Sequence, residues 1–207
     1  MTRALVAGAG LAGSLFSVFL ARRGYDVTVF ERRDDIRTRA EGGGRSINLA
    51  LSTRGLAALE AVGLAEEVLS FSIPMRGRLM HDTEGELTFQ AYGRSDQAIQ
   101  SVSRKRLNEV LIDAAEATGR VEFRFEHRIE DIDLDTGAIT VEAPDGSIET
   151  FASDLTVGAD GVFSAIRLRM MKTDRFQYEQ TYLEHGYKEL TIPPTADGGF
   201  RMQPDAL

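Results

Sequence analysis

The apolar run Ala4-Leu-Val-Ala7 enters three glycines, Gly8, Gly10 and Gly13, beyond which Leu11, Leu15, Val18, Phe19 and Ala21 recur at helical spacing as far as Arg23. Apolar positions resume at Val27-Thr-Val-Phe30 and end on Glu31. The pattern predicts strand, tight turn, helix and second strand. Ser52 is expected to cap a helix through Leu56, Leu59 and Val62 that Gly63 closes, and a shorter helix is expected from Ala65 to Ser70. Leu107, Val110, Leu111, Ala114 and Ala115 mark an amphipathic helix with Ser103 as its cap.

From Val121 to Ala152 the period changes to two. Strands are predicted over Val121–Phe125, Arg128–Asp133, Ala138–Glu142 and Ser147–Phe151, with turns at Asp135-Thr-Gly137 and Pro144-Asp-Gly146. The last three read as an antiparallel meander beside a parallel sheet. Asp154–Val157 reads as a short buried strand running into Gly158-Ala-Asp160-Gly161, and Ser164 as the cap of a helix through Arg167 and Met170.

The first glycine turn carries a chemical expectation. Gly8 allows a tight turn, Gly10 lets the backbone approach a pyrophosphate, and Gly13 lets the helix pack closely on the strand. The N–H groups at the helix start would receive phosphate charge, and Glu31 ends the second strand where a carboxylate can accept from a ribose. This much fits a nicotinamide and a flavin dinucleotide equally. The second turn, with Asp160 between glycines at another strand end, suggests one extended dinucleotide contacted twice and favours flavin.

Cations add to the picture. Arg45, after Gly42-Gly43-Gly44, can reach a pyrophosphate, and Arg104 sits at a helix start, where a positive charge opposes the macrodipole unless an anion lies nearby. Arg76 and Arg78 fall on one face of a predicted strand and suit a carboxylate, with Tyr92 as a phenolic donor if its segment pairs with theirs.

The chain has 207 residues, 43% apolar, with a formal charge of −8, which argues against nucleic acid or an anionic membrane as the main partner. Without cysteine there are no disulfides or thiolate metal sites, and His81, His127 and His185 lack ligand spacing, so no metal is expected. No apolar run has transmembrane length, and the first strand begins too early for a signal peptide. A soluble, cytoplasmic protein is the expectation.

The glycine fingerprint with Glu31, the period-two strands, and Gly158-Ala-Asp160-Gly161 with Ser164 and Arg167 together resemble the single-component flavoprotein aromatic hydroxylases. Gly44–Ser52, Met75–Arg78, Ser101–Arg104 and His185–Leu190 resemble the members that act on L-kynurenine. The resemblance implies an α/β fold: a Rossmann-like FAD-binding domain over 1–73 and 100–175, with parallel sheet and meander, and the start of a β-rich substrate domain over 74–99 and 176–207. It implies FAD, with NADPH and O2 as co-substrates. To the motif residues Gly8, Gly10, Gly13, Glu31, Arg45, Arg104 and Asp160 it adds Ala12, Phe30, Arg32, Arg33, Ala50 and Ile129 as cofactor contacts. Arg78 and Tyr92 would hold the carboxylate of L-kynurenine or a similar aryl amino acid. No side chain is assigned as general acid or base, since the cofactor carries the chemistry.

The chain stops at Gln203–Leu207 in what reads as the middle of a substrate-domain sheet, so it is expected to be an N-terminal portion. A hydroxylase of a related aryl amino acid and a non-catalytic truncated flavin- or nucleotide-binding protein are the alternatives. A nicotinamide-dependent dehydrogenase rests on the first motif alone.

Overall fold

The computed structural model describes residues 2–38, 48–186 and 192–202. In chain order they form β1 (Arg3–Ala7), α1 (Leu11–Arg22), β2 (Asp26–Phe30), a 3-10 turn (Ile36–Thr38), β3 (Asn48–Leu51), α2 (Thr53–Glu60), α3 (Ala65–Ser70), β4 (Ile73–Met75), β5 (Gly77–His81) and β6 (Leu87–Ala91). Then follow β7 (Ile99–Ser103), α4 (Arg104–Glu116), β8 (Val121–Arg124), β9 (Arg128–Ile132), β10 (Ile139–Glu142), β11 (Ile148–Phe151), β12 (Leu155–Gly158) and α5 (Ala165–Met170).

Two compact units emerge, Met1–Gly43 with Leu107–Tyr182, and Gly44–Arg106 with Leu183–Leu207. The boundaries differ from the 73/74 and 99/100 breaks expected from sequence. The reason is the hydrogen-bonded sheet β3-β7-β4, which ties 48–51 and 73–75 to 99–103.

The first unit is built on a parallel sheet of order β12-β1-β2-β8, with the antiparallel meander β11-β10-β9 beside it, as the change of period predicts. Strand alternation sends Leu5 and Ala7 of β1 into a buried cluster with Phe30, Ile132, Ile139, Val141 and Ile166, against which Ile129 and Phe151 pack. Burying each large side chain of this cluster contributes roughly 1.5–3 kcal/mol.

Helix α1 packs on β1, β2 and β8 through a face that shares only Val18 and Ala21 with the one expected of it. Its buried residues are Gly13, Ser14, Ser17, Val18, Leu20 and Ala21, while Leu11, Leu15 and Phe19 are half-buried. Small residues let the helix approach the sheet closely. The buried hydroxyls are satisfied on nearby carbonyls, Ser17 Oγ donating to Gly13 O at 2.8 Å and Ser14 Oγ to Ala9 O at 3.2 Å. Strand β12, expected to be buried, is instead at the edge of the sheet among the described residues, paired with β1 and partly exposed along its length.

In the second unit, β5 pairs antiparallel with β6, and both strands are largely exposed. Ser52 precedes α2 but its side chain makes no cap; its carbonyl accepts Leu56 N at 3.0 Å. Ser103 does cap α4, its hydroxyl accepting Arg106 N at 3.3 Å. Among the described residues no helix is long and apolar enough to cross a membrane, and no group of side chains could hold a metal ion.

Candidate dinucleotide-binding site

Gly8 leaves β1 with φ +97°, a conformation that glycine adopts without strain, and its N–H donates to Phe30 O at 2.7 Å. A Cβ there would lie 2.6 Å from Ala159 O. A Cβ on Gly13 would run into the Gly8 carbonyl oxygen. Gly10 differs, because a Cβ on it would meet nothing within 4 Å. Two of the three glycines are therefore demanded by protein packing, and the third faces open space.

Gly10 is also the N-cap of α1, and no side chain caps the helix. The first intrahelical bond runs from Ser14 N to Gly10 O at 2.9 Å, which leaves the N–H groups of the first turn, Ala12 included, without intrahelical acceptors. No acidic residue occupies that turn. An open backbone approach beside an uncapped helix start suits an anionic group such as a pyrophosphate.

Glu31 reaches this turn from the end of β2. Its Oε2 accepts Ala9 N at 3.0 Å and its Oε1 accepts Arg33 N at 3.1 Å. The Ala9 carbonyl, in turn, accepts Ser14 Oγ and Asn108 Nδ2, the latter at 2.9 Å. Each carboxylate oxygen retains capacity for a second donor, so Glu31 can hold the loop and still receive a ribose hydroxyl.

The second glycine turn lies beside the first at the C-terminal end of β12. Ala7 pairs with Gly158, and Ala159 N donates to Ala7 O at 2.8 Å. Asp160 is engaged within its own turn: Ser164 Oγ donates to its Oδ1 at 2.6 Å and Ile166 N to its Oδ2 at 3.4 Å. Ser164 caps α5 as expected, accepting Arg167 N at 2.9 Å. The Arg167 guanidinium donates to the carbonyls of Gly161 and Val162 and lies over the Tyr178 ring, 5.0 Å from its centroid. Both charged residues thus hold the turn's shape.

The remaining expected contacts fall in several places. Phe30 is 1% exposed, so its side chain belongs to the core and only its backbone reaches the turn. Ile129 packs against the same cluster. Arg32 and Arg33 are exposed, and the backbone beside them is pinned by Glu126 N to Arg33 O and His127 N to Glu31 O, each 2.9 Å. Arg45 lies outside the described residues.

Within the second unit, Ala50 is exposed on β3 opposite Ser101, and Arg104 is exposed at the start of α4. Arg78 pairs with Gln90, and Tyr92 N donates to Arg76 O at 3.0 Å. Strand alternation then sets Arg78, Gln90 and Tyr92 on one face. Arg78 is exposed and makes no ion pair among the described residues, leaving its guanidinium available for a carboxylate.

Two contributors escape a reading of motifs. Asn108 is 7% exposed on the apolar face of α4, and a polar residue among Leu107, Val110 and Leu111 was the signal that could have found it. Arg37 gathers Asp35 at 2.6 Å, Asp113 at 2.8 Å and Glu116 at 2.6 Å, fastening the segment after Glu31 to α4. Hydrogen bonds donated by Arg37 to Asp35, then to Glu116, raise the Arg37 pKa further above its already high value. Burial of Asp35 opposes ionisation, but the hydrogen bonds from Arg37 outweigh it and hold the carboxyl below its usual range. No local pattern announces a network that joins positions so far apart in the chain.

Residues 1–190 match a protein family described as the FAD binding domain. A kynurenine 3-monooxygenase of Myxococcus xanthus (strain DK1622) is 50% identical over 204 residues, which cover 98% of this chain and 44% of that protein. One from Sus scrofa is 44% identical over 206 residues, covering 100% of this chain and 44% of that protein. Among solved structures, the tetrameric form of 2-methyl-3-hydroxypyridine-5-carboxylic acid oxygenase superposes with a TM-score of 0.67 at 28% identity, over 82% of this chain and 42% of that chain. The chain spans less than half the length of these relatives.

Proposed function

The chain belongs to the FAD-binding domain family, and from that membership we propose that it is the FAD-binding part of a flavin-dependent aromatic monooxygenase that hydroxylates L-kynurenine to 3-hydroxykynurenine. The overall reaction inserts one atom of O2 into a ring C–H bond and reduces the other to water with the electrons of NADPH. Bound FAD supplies the redox chemistry that couples NADPH to O2. The protein's own residues supply binding and orientation. The glycine turn and the first turn of α1 receive the pyrophosphate, Glu31 the ribose, and Arg78 with Tyr92 the amino-acid carboxylate. The cysteine-free sequence agrees with a reducing, cytoplasmic setting.

The observation that carries this reading is the 50% identity with a kynurenine 3-monooxygenase over 98% of the chain, since a match of that extent takes in both the dinucleotide turn and the β5–β6 pair. The common face of Arg78 and Tyr92 supports the substrate assignment. In the test, L-kynurenine is added to the FAD-loaded chain while the flavin visible spectrum is followed. A saturable change is expected, and Arg78→Ala should abolish it while FAD remains bound. A full response from Arg78→Ala contradicts the carboxylate assignment, and a stronger response to a ring-substituted analogue transfers the substrate to a related aryl amino acid.

A further inference from the structure

The peptide between Ala9 and Gly10 is held on its carbonyl side by two donors, and the distant one is the less expected. Asn108 lies on α4, is 7% exposed, and directs Nδ2 to Ala9 O at 2.9 Å. Its neighbours Leu107, Val110, Leu111 and Ile112 are buried apolar residues. An amide in that position loses its hydration, and only half of it is repaid: Asn108 Oδ1 finds no hydrogen-bond partner among the described residues. Leucine would fill the same helical position without that penalty, so the amide needs a reason beyond packing.

Peptide planarity supplies one. In a trans peptide the N–H points away from the C=O of the same plane. There are no cis peptide bonds among the described residues, so a carbonyl of Ala9 fixed toward Asn108 turns the N–H of Gly10 to the opposite side. Gly10 faces open space, with nothing within 4 Å of where a Cβ would stand. Ser14 Oγ, at a longer 3.2 Å, supports the same orientation from within α1. On the other side of Ala9, Glu31 takes the N–H at 3.0 Å. Ala9 is thereby locked at both of its polar groups while the next N–H along the chain is presented outward.

We infer that Asn108 is a positioning residue that, by holding the Ala9 carbonyl, aims the Gly10 N–H at the pyrophosphate of the dinucleotide. The inference rests on the FAD reading and deepens it. The role is exerted through the loop, so Asn108 itself touches no ligand.

Asn108→Leu and Asn108→Asp test it, with FAD and ADP as ligands and thermal unfolding measured in parallel. Leucine removes the donor and keeps the branching of the side chain at a larger volume, and aspartate removes it at nearly constant shape. Loss of one oriented hydrogen bond predicts about tenfold weaker binding of FAD and of ADP by Asn108→Leu, with a melting temperature close to that of the parent chain. Asn108→Asp should lose at least as much, because an oxygen then confronts the Ala9 carbonyl. Parental affinity for both ligands in folded Asn108→Leu overturns the inference and leaves the FAD reading standing. If the parent chain, shown to be folded, binds neither FAD nor ADP, the FAD reading fails and takes the inference with it. Should both variants fail to fold, amide resonances of the nitrogen-labelled parent chain decide: ADP is expected to shift the Gly10 amide far more than the Ala9 amide held by Glu31. A Gly10 amide that does not move at ADP saturation overturns the inference.

Discussion

Glu31 and Ala9, 22 residues apart, meet where the side-chain Oε2 accepts the backbone N–H at 3.0 Å. One carboxylate thus fixes the geometry of the glycine turn, and on the proposed reading it also receives the ribose. Glu31→Ala leaves the N–H groups of Ala9 and Arg33 without that acceptor. The expected result is about 1–3 kcal/mol of lost stability together with weaker FAD binding, measured by denaturant unfolding and by flavin titration. Glu31→Gln keeps one acceptor oxygen and is expected to fall between the two.

The glycines separate fold from ligand. Gly13→Ala forces a methyl group against the Gly8 carbonyl, a backbone atom that cannot easily retreat, and is expected to cost at least about 1–3 kcal/mol. Gly10 has φ −75° and open surroundings, so Gly10→Ala should fold with parental stability. On the proposed reading its methyl group would stand where the pyrophosphate approaches, and FAD affinity should fall. Equal stability losses in the two variants would refute this division of roles.

Arg37 predicts an acid-sensitive contribution to stability. Its hydrogen bonds hold Asp35 below the ordinary carboxylate range, so folding favours the ionised Asp35. That stability is fully present above the unfolded-state value of about 3.9 and is lost as the pH falls through the lower folded-state value. Arg37→Met should cost about 1–2 kcal/mol near neutral pH, a modest figure because the partners are partly exposed. It should also flatten the stability profile below about pH 4. An unchanged acid limb in Arg37→Met would contradict the assignment.

Arg78→Lys tests how the carboxylate is read. Lysine keeps the charge but loses the planar fork that binds a carboxylate through two parallel bonds. The flavin spectral response to L-kynurenine should require a several-fold higher concentration in Arg78→Lys and vanish in Arg78→Ala. Parental concentration dependence in Arg78→Lys would mean that charge alone suffices.

The sequence announces the order of elements because each carries a clean signal. Val121 to Phe151 alternates with period two and becomes β8 and the meander, while Ala4–Ala7, Gly8 and Gly13 become a strand, a left-handed turn and a close helix contact. Burial was harder to read. Apolar spacing nominates Leu11, Leu15, Val18, Phe19 and Ala21 as the inner face of α1; Val18 and Ala21 are buried, but close packing replaces the other three with Gly13, Ser14 and Ser17, whose small size matters more than their polarity. The family resemblance nominates Phe30 as a cofactor contact, and its ring lies in the core, which leaves its backbone for that role. Asn108 and Arg37 act over separations in sequence that only folding closes, so motif spacing could not pair them with Ala9 or with Glu116.

On the proposed reading, the turn from Gly8 to Gly13 is the site of the FAD pyrophosphate. The most direct test is a titration of FAD into the purified chain, with near-ultraviolet circular dichroism to show that it is folded and with Gly10→Ala measured alongside. Saturable binding at one site per chain is expected, with a marked loss of affinity in Gly10→Ala at unchanged stability. A folded parent chain that binds no FAD, or a Gly10→Ala variant that binds it as tightly as the parent, would rule out a pyrophosphate site at this turn.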